Sequence, residues 1–242
     1  TDMANAWFTE DVRVRVPERV RVVLRGALPA GTTAKDIMLA LLALPFFRTS
    51  QGIGKVLEFT GDGVFRLPLD ERATLTNMAV EAGGFTGIIA ADELVIETLE
   101  KSRGLSRETL RAMTVTSDEG AHYAHELELD LTALTPMIAR PGDPRNGQAV
   151  AALDADVPIQ IAYGGSCTGG KAHDMDLYAS VFADALAKGQ RVAPGVSCFI
   201  QYGSQHIRAY AESRGYDAIF RDVGATVLAP SCGACISAGP GA

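Results

Sequence analysis

The chain has 242 residues, 47% of them apolar, and 22 basic against 29 acidic side chains give a net charge of −7. That length buries one large core or two small ones. The acidic balance argues against a nucleic acid or an anionic membrane as partner, because either calls for clustered Lys and Arg. No apolar run approaches the roughly 20 residues that span a bilayer, and the longest, Ile37 to Phe47, is interrupted by Pro45.

Read in order, the chain alternates strand-like and helix-like segments. Thr1-Asp2-Met3-Ala4 is not an initiation sequence, so a cut within a longer polypeptide is expected there. Val12 to Val16 alternates valine with arginine at the period of a half-exposed strand, and residues 20–25 follow as a second strand. Gly31-Thr32-Thr33 supplies an N-cap for a helix over Ala34 to Leu44. Val56 to Thr60 is a strand closed by the turn Gly61-Asp62-Gly63. Asp70 is placed to cap a helix running to about Ala82, where Gly83-Gly84 ends it. Phe85 to Ala90 reads as a buried strand, and Asp92 to Ser102 and Leu105 to Met113 as helices. His125 to Leu131 alternates cleanly and predicts a strand with one wet face.

The Pro- and Gly-bearing stretch Thr135 to Gly147 is expected to be a loop and a boundary, dividing the chain into domains 1–140 and 148–242. Beyond it, strands are expected over Val157 to Tyr163, Val196 to Gln201 and Thr226 to Leu228. Helices are expected over Asp174 to Ala187, Ser204 to Arg214 and Tyr216 to Val223. This alternation predicts an α/β fold with mixed and mostly parallel sheets flanked by helices.

Four cysteines in a chain without a secretory opening point to a reducing, cytoplasmic setting, where cysteine more often binds metal or does chemistry than forms disulfides. Cys167 lies in a glycine- and hydroxyl-rich loop between a strand and a helix, the strand end where α/β sheets gather ligands. Cys232-Gly233-Ala234-Cys235 can turn two sulfurs to one centre, a spacing shared with zinc knuckles and thioredoxin-like motifs. A structural zinc wants four protein ligands, whereas one cysteine plus a pair makes three. Three thiolates on a cubane leave one iron open as a Lewis acid. Cys198, within the apolar segment Val196 to Ile200, reads as a buried structural cysteine. His122, His125 and His206 show no metal spacing with the cysteines, and His173 reads as a surface residue at a helix N-terminus.

Several blocks in order resemble the aconitase superfamily. Gly165-Ser166-Cys167-Thr168 is similar to its cluster loop, and Pro230-Ser231-Cys232-Gly233-Ala234-Cys235 with Gly239-Pro240-Gly241 to its paired-cysteine segment. Gly31 to Ile37, Glu58 to Gly63 and Arg72 to Gly83 resemble three further blocks. The resemblance implies an aconitase-like three-layer α/β/α fold and a [4Fe-4S] cluster held by Cys167, Cys232 and Cys235. Asn77 and Glu81 fall on the Asn-Met-x-x-Glu motif, so Asn77 is expected beside the cluster and Glu81 at the hydroxyl or water on the open iron. A spacing of four places them on one face of the expected helix.

The implied activity is that of a hydro-lyase acting on a small hydroxy di- or tricarboxylic acid, of the 3-isopropylmalate dehydratase type ahead of aconitase. The alternative is a non-catalytic cluster- or zinc-binding module. The family's Asp and His motifs are expected before Thr1, its arginine-rich segment after Ala242, and its serine base on a small swivelling subunit or domain. The isolated chain is therefore expected to be inactive. Gly169 stands where the family usually has Asn, and Lys171 and His173 follow in the same loop.

Overall fold

A computed structural model describes residues 2–240; Thr1, Gly241 and Ala242, and with them the expected chain cuts, lie outside the described residues. The first half is built on β1 (Arg19–Arg25), whose alternation buries Val20, Val22 and Leu24 completely. It pairs in parallel with β2 (Val56–Thr60) and β4 (His125–Asp130), and β3 (Thr86–Ile89) adds in parallel to β2, giving the order β3-β2-β1-β4. A parallel sheet needs helices to cover it. These are α2 (Ala34–Leu42), α3 (Pro45–Arg48), α4 (Asp62–Phe65), α5 (Leu69–Asn77), α6 (Glu93–Arg103) and α7 (Arg107–Met113), preceded by an N-terminal α1 (Asp2–Thr9). Val22, Leu57, Ile37, Leu41, Phe47 and Leu75, none more than 1% exposed, centre the first apolar cluster.

An antiparallel hairpin, β5 (Met137–Ala139) and β6 (Gly147–Ala149), packs on α2. The second half carries a parallel sheet in the order β7-β8-β9, from β7 (Ile161–Gly165), β8 (Ser197–Gln201) and β9 (Thr226–Leu228). Its helices are α8 (Ser166–Gly169), α9 (Ala172–Ala187), α10 (Gln205–Ser213) and α11 (Tyr216–Val223). Met175, Ile200, Tyr202 and Phe220 form its own apolar cluster. The fold class is α/β, with mostly parallel sheets flanked by helices in a three-layer arrangement. No described helix is long and apolar enough to cross a membrane.

Polar anchors fix the elements that carry the site. Thr33 caps α2 in a reciprocal box with Asp36, whose Oδ2 accepts the Thr33 N–H at 2.7 Å and whose Oδ1 accepts Met137 N–H at 2.7 Å. The buried Glu71 of α5 accepts the Ala34 N–H and so ties α5 to the start of α2. Arg72, 3% exposed, donates to the carbonyls of Leu67 and Phe65 at 3.0 Å each and lies 2.8 Å from Asp92 Oδ1.

The structure corrects several expectations. Residues 12–16 join no sheet, and their valines are exposed; a period of two supplies no hydrogen-bonding neighbour, and a strand needs one. Asp70 does not cap its helix, because Pro68 holds the N-cap position and Asp70 instead accepts the His173 N–H at 3.0 Å. That helix ends at Asn77, not near Ala82, and residues 78–83 form turns, so Asn77 and Glu81 do not share a helix face. β3 is an edge strand with exposed Ile88, not a buried one, and Phe85 stands exposed just before it. The expected loop at 135–147 contains most of the β5–β6 hairpin. The strand expected from Val157 begins at Ile161. The turn at Gly61 to Gly63 runs into α4, and α1 and α3 were not foreseen.

Candidate functional site

The chain leaves β7 through Gly165 (φ +115) and Ser166 (φ +66), two successive residues with positive φ. A Cβ at Gly165 would run into the backbone of Gln201, and Ser166 holds a conformation that costs an L-residue free energy. This sharp exit places Cys167 at the top of the sheet, within α8. The loop is then clipped from several sides. Lys171 Nζ bonds the Thr168 carbonyl and sits 2.8 Å from Asp174 Oδ2. Tyr178 donates to the Gly169 carbonyl at 3.0 Å, and burial pushes its hydroxyl up to about 12, which keeps it a donor.

Asn77, the last residue of α5, reaches this loop from the other sheet. Its Nδ2 bonds Thr168 Oγ1 and lies 3.9 Å from Cys167 Sγ. Burial raises the Cys167 thiol pKa, but hydrogen bonds with Thr168 and Asn77 lead the effects that outweigh it and leave the thiol below its ordinary range. Cys235 is shifted the other way, first by burial and then by the charges of Cys232 and Cys167.

Cys167, Cys235 and Glu81 line one cavity of ≈250 Å³, together with Lys35, Tyr163 and Ser166. A second cleft of ≈390 Å³ opens beyond Cys167, with Asn77, Thr76 and Lys171 on its walls. Lys35 makes no ion pair among the described residues. Ser166 Oγ is buried and has no hydrogen-bond partner among them.

Of the residues expected at the site, Asn77, Glu81, Cys167 and Cys235 therefore come together. Cys232 lies in the Cys235 loop, exposed, and does not line the cavity. All four cysteines are free thiols, and Cys198 is buried on β8 with its thiol pKa raised by burial. Among the described residues, no three His, Cys, Asp or Glu side chains converge as ligands of a single metal ion. His125 stacks on Phe46 at 4.5 Å, and His173 meets Asp70 through its backbone. Lys35, Ser166, Tyr163 and Gln201 were not foreseen at the site. Lys35 and Ser166 lay within blocks already singled out, whereas nothing in the sequence marks Tyr163 or Gln201.

Comparison with known proteins follows the same blocks. The family model for the aconitase family (aconitate hydratase) matches residues 1–242. The chain is 38% identical to the 3-isopropylmalate dehydratase large subunit of Campylobacter concisus, over 98% of this chain and 54% of that protein. It is 32% identical to the large subunit of the same name from Caldicellulosiruptor bescii, over 98% and 52%. It is 34% identical to mitochondrial homoaconitase of Gibberella zeae, over 100% of this chain and 33% of that protein. The chain thus spans about half the length of the large subunits it matches.

Proposed function

The chain belongs to the aconitase family, and on that premise we propose that it is part of a [4Fe-4S]-dependent hydro-lyase acting on a small hydroxy di- or tricarboxylic acid. Cys167, Cys232 and Cys235 are the proposed cluster ligands, with Asn77 and Glu81 as the site residues beside them. The observation that carries this reading is the contact of Asn77 with the Cys167 loop, 90 residues away in the chain, together with the cavity that Cys167 shares with Glu81 and Cys235.

The residues present fit such a group. Cys167 and Cys235 line one cavity and Cys232 lies in the Cys235 loop, all three as free, exposed thiols of the kind a cluster takes as ligands. Each thiolate of a cubane holds its own iron, so the sulfurs surround a volume and do not meet at one point. Ser166 Oγ offers a spare buried donor at the same cavity.

When bound, the cluster supplies an open Lewis-acidic iron that polarises a substrate hydroxyl. Asn77 holds Cys167 and Thr168 in place from α5. Glu81 faces the cavity and accepts a hydrogen bond from the departing oxygen. Lys35 attracts a substrate carboxylate as a point charge. Removal of the proton α to a carboxylate needs a base within hydrogen-bond reach. We assign that base, and cationic clamps for the remaining carboxylates, to other segments and to a small swivelling subunit or domain. The name "large subunit" borne by the 38%-identical relative supports such a partner and favours the 3-isopropylmalate dehydratase type.

Anaerobic purification with iron and sulfide analysis tests the reading, and about four of each per chain are expected. Stoichiometric zinc without sulfide would overturn it in favour of a non-catalytic module. The 242-residue chain alone is expected to show no turnover even with its cluster, and adding the partner and missing segments to restore it.

A further inference from the structure

Two loops carry the three sulfurs, and one buried amide is bonded to the structure beneath both. Gln201 closes β8 and is 3% exposed. Its Oε1 accepts the Tyr163 hydroxyl at 2.6 Å, and Tyr163 lies on β7, two residues before the turn into Cys167. Its Nε2 donates to the Ala229 carbonyl at 3.1 Å and to Ser231 Oγ at 2.7 Å. Ser231 Oγ in turn donates to the Cys232 carbonyl at 2.8 Å. The amide can point only one way, since the Ala229 carbonyl accepts and cannot donate.

The loop backbone rests directly on this seam. A Cβ at Gly233 would stand 2.8 Å from Gln201 Oε1 and 3.0 Å from both Ser166 Oγ and Tyr163 Oη, so no larger residue fits there without moving it. An apolar side chain at 201 would leave the Ala229 carbonyl and the Tyr163 hydroxyl without these partners, and each bond lost at this half-buried seam costs about 1 kcal/mol. Burying an amide is tolerable here because both of its ends are bonded.

We infer that Gln201 is the positioning residue that sets the Cys232–Cys235 loop in register with the Cys167 loop, with Tyr163 as its partner. It acts through hydrogen bonds to β7 beneath the Cys167 loop and to the loop that carries the cysteine pair, and it makes no hydrogen bond to a sulfur among the described residues. Its effect on cluster retention rests on the function proposed above. Its effect on the order of the loops themselves does not.

The experiment uses the full chain, metal-free and reduced. Amide hydrogen exchange over residues 229–236 and alkylation of Cys232 and Cys235 by iodoacetamide are compared with the alkylation of Cys198 and with the melting temperature. Gln201→Met is expected to speed local exchange and alkylation of the pair about tenfold, the equivalent of one or two net hydrogen bonds, with Cys198 unchanged. Tyr163→Phe keeps the ring and removes one hydroxyl, so it gives a smaller acceleration and still decides the matter if Gln201→Met does not fold. Wild type and Tyr163→Phe are then reconstituted anaerobically with iron and sulfide, and the variant's visible band is expected to decay faster in air. A wild type that takes up no cluster counts against the proposed function alone, because the exchange and alkylation data still decide the role of Gln201. Unchanged loop exchange and thiol reactivity in the variants that fold would overturn the inference.

Discussion

Asn77 and Glu81 stand among Leu75, Met78, Ala79 and Ala82, none more than 5% exposed, whereas the cysteine loops of the second sheet are held by polar contacts. On the first side, position follows from burial. Moving Asn77 means moving a helix end packed into the larger apolar cluster and clamped by Arg72 and Glu71. On the second side, position follows from a few hydrogen bonds: Tyr178 on Gly169, Lys171 on Thr168 and Asp174, and Gln201 on Ser231. Burial is worth several kcal/mol for each large side chain and is shared across a cooperative core, while each hydrogen bond contributes about 1 kcal/mol net and acts locally. Damage on the first side should therefore appear as lost stability, and damage on the second as lost metal on an intact fold.

The largest expected effect tests the second half of that contrast. Cys232→Ser should abolish the cubane in iron and sulfide analysis while leaving the metal-free melting temperature unchanged, and Cys198→Ser should keep its iron. Iron lost from the Cys198 variant would mean that a buried strand cysteine, not the loop, is the ligand. Next comes Glu81→Gln in the complete assembly, where kcat should fall about a hundredfold with little change in KM, as for a group that acts on the departing oxygen. A change confined to KM would make Glu81 a binding residue.

Arg72→Met tests the first half. It unpairs Asp92 and two carbonyls and should cost about 3 kcal/mol in urea unfolding, with alkylation of Cys232 in the folded state unaltered. Hydrogen bonding to Arg72 is the largest cause that holds Asp92 below the usual carboxylate range. That contribution is complete above the unfolded pKa and fades as pH falls through the folded one. Wild type should therefore lose more stability on acidification than Arg72→Met does. The smallest effect crosses between the two sides. Asn77→Ala removes one of the hydrogen bonds that lower the Cys167 thiol pKa, so the pH profile of Cys167 alkylation in metal-free protein should move to higher pH. A profile that stays in place would mean that Thr168 alone sets the ionisation.

Local pattern and motif were enough to find β1, β2, β4, β8, β9 and α11, because each carries its own alternation, cap or period. The proposed site residues, the three loop cysteines and the Asn77–Glu81 block, were singled out by the residue types and order that carry the resemblance. What the sequence alone did not decide was where patterns stop and what meets across the chain. Val12 to Val16 has the pattern of a strand and no neighbour to pair with, and the helix expected to reach Ala82 ends at Asn77. Tertiary packing brought Asn77 onto Cys167, turned Asp70 from a cap into an acceptor for His173, opened Lys35 onto the cavity, and placed Gln201 beneath both cysteine loops. The physical reason is that apolar periodicity is a property of neighbouring residues, written locally in the chain. A buried hydrogen bond between distant residues is defined only once folding has excluded water and left each polar group to find a partner.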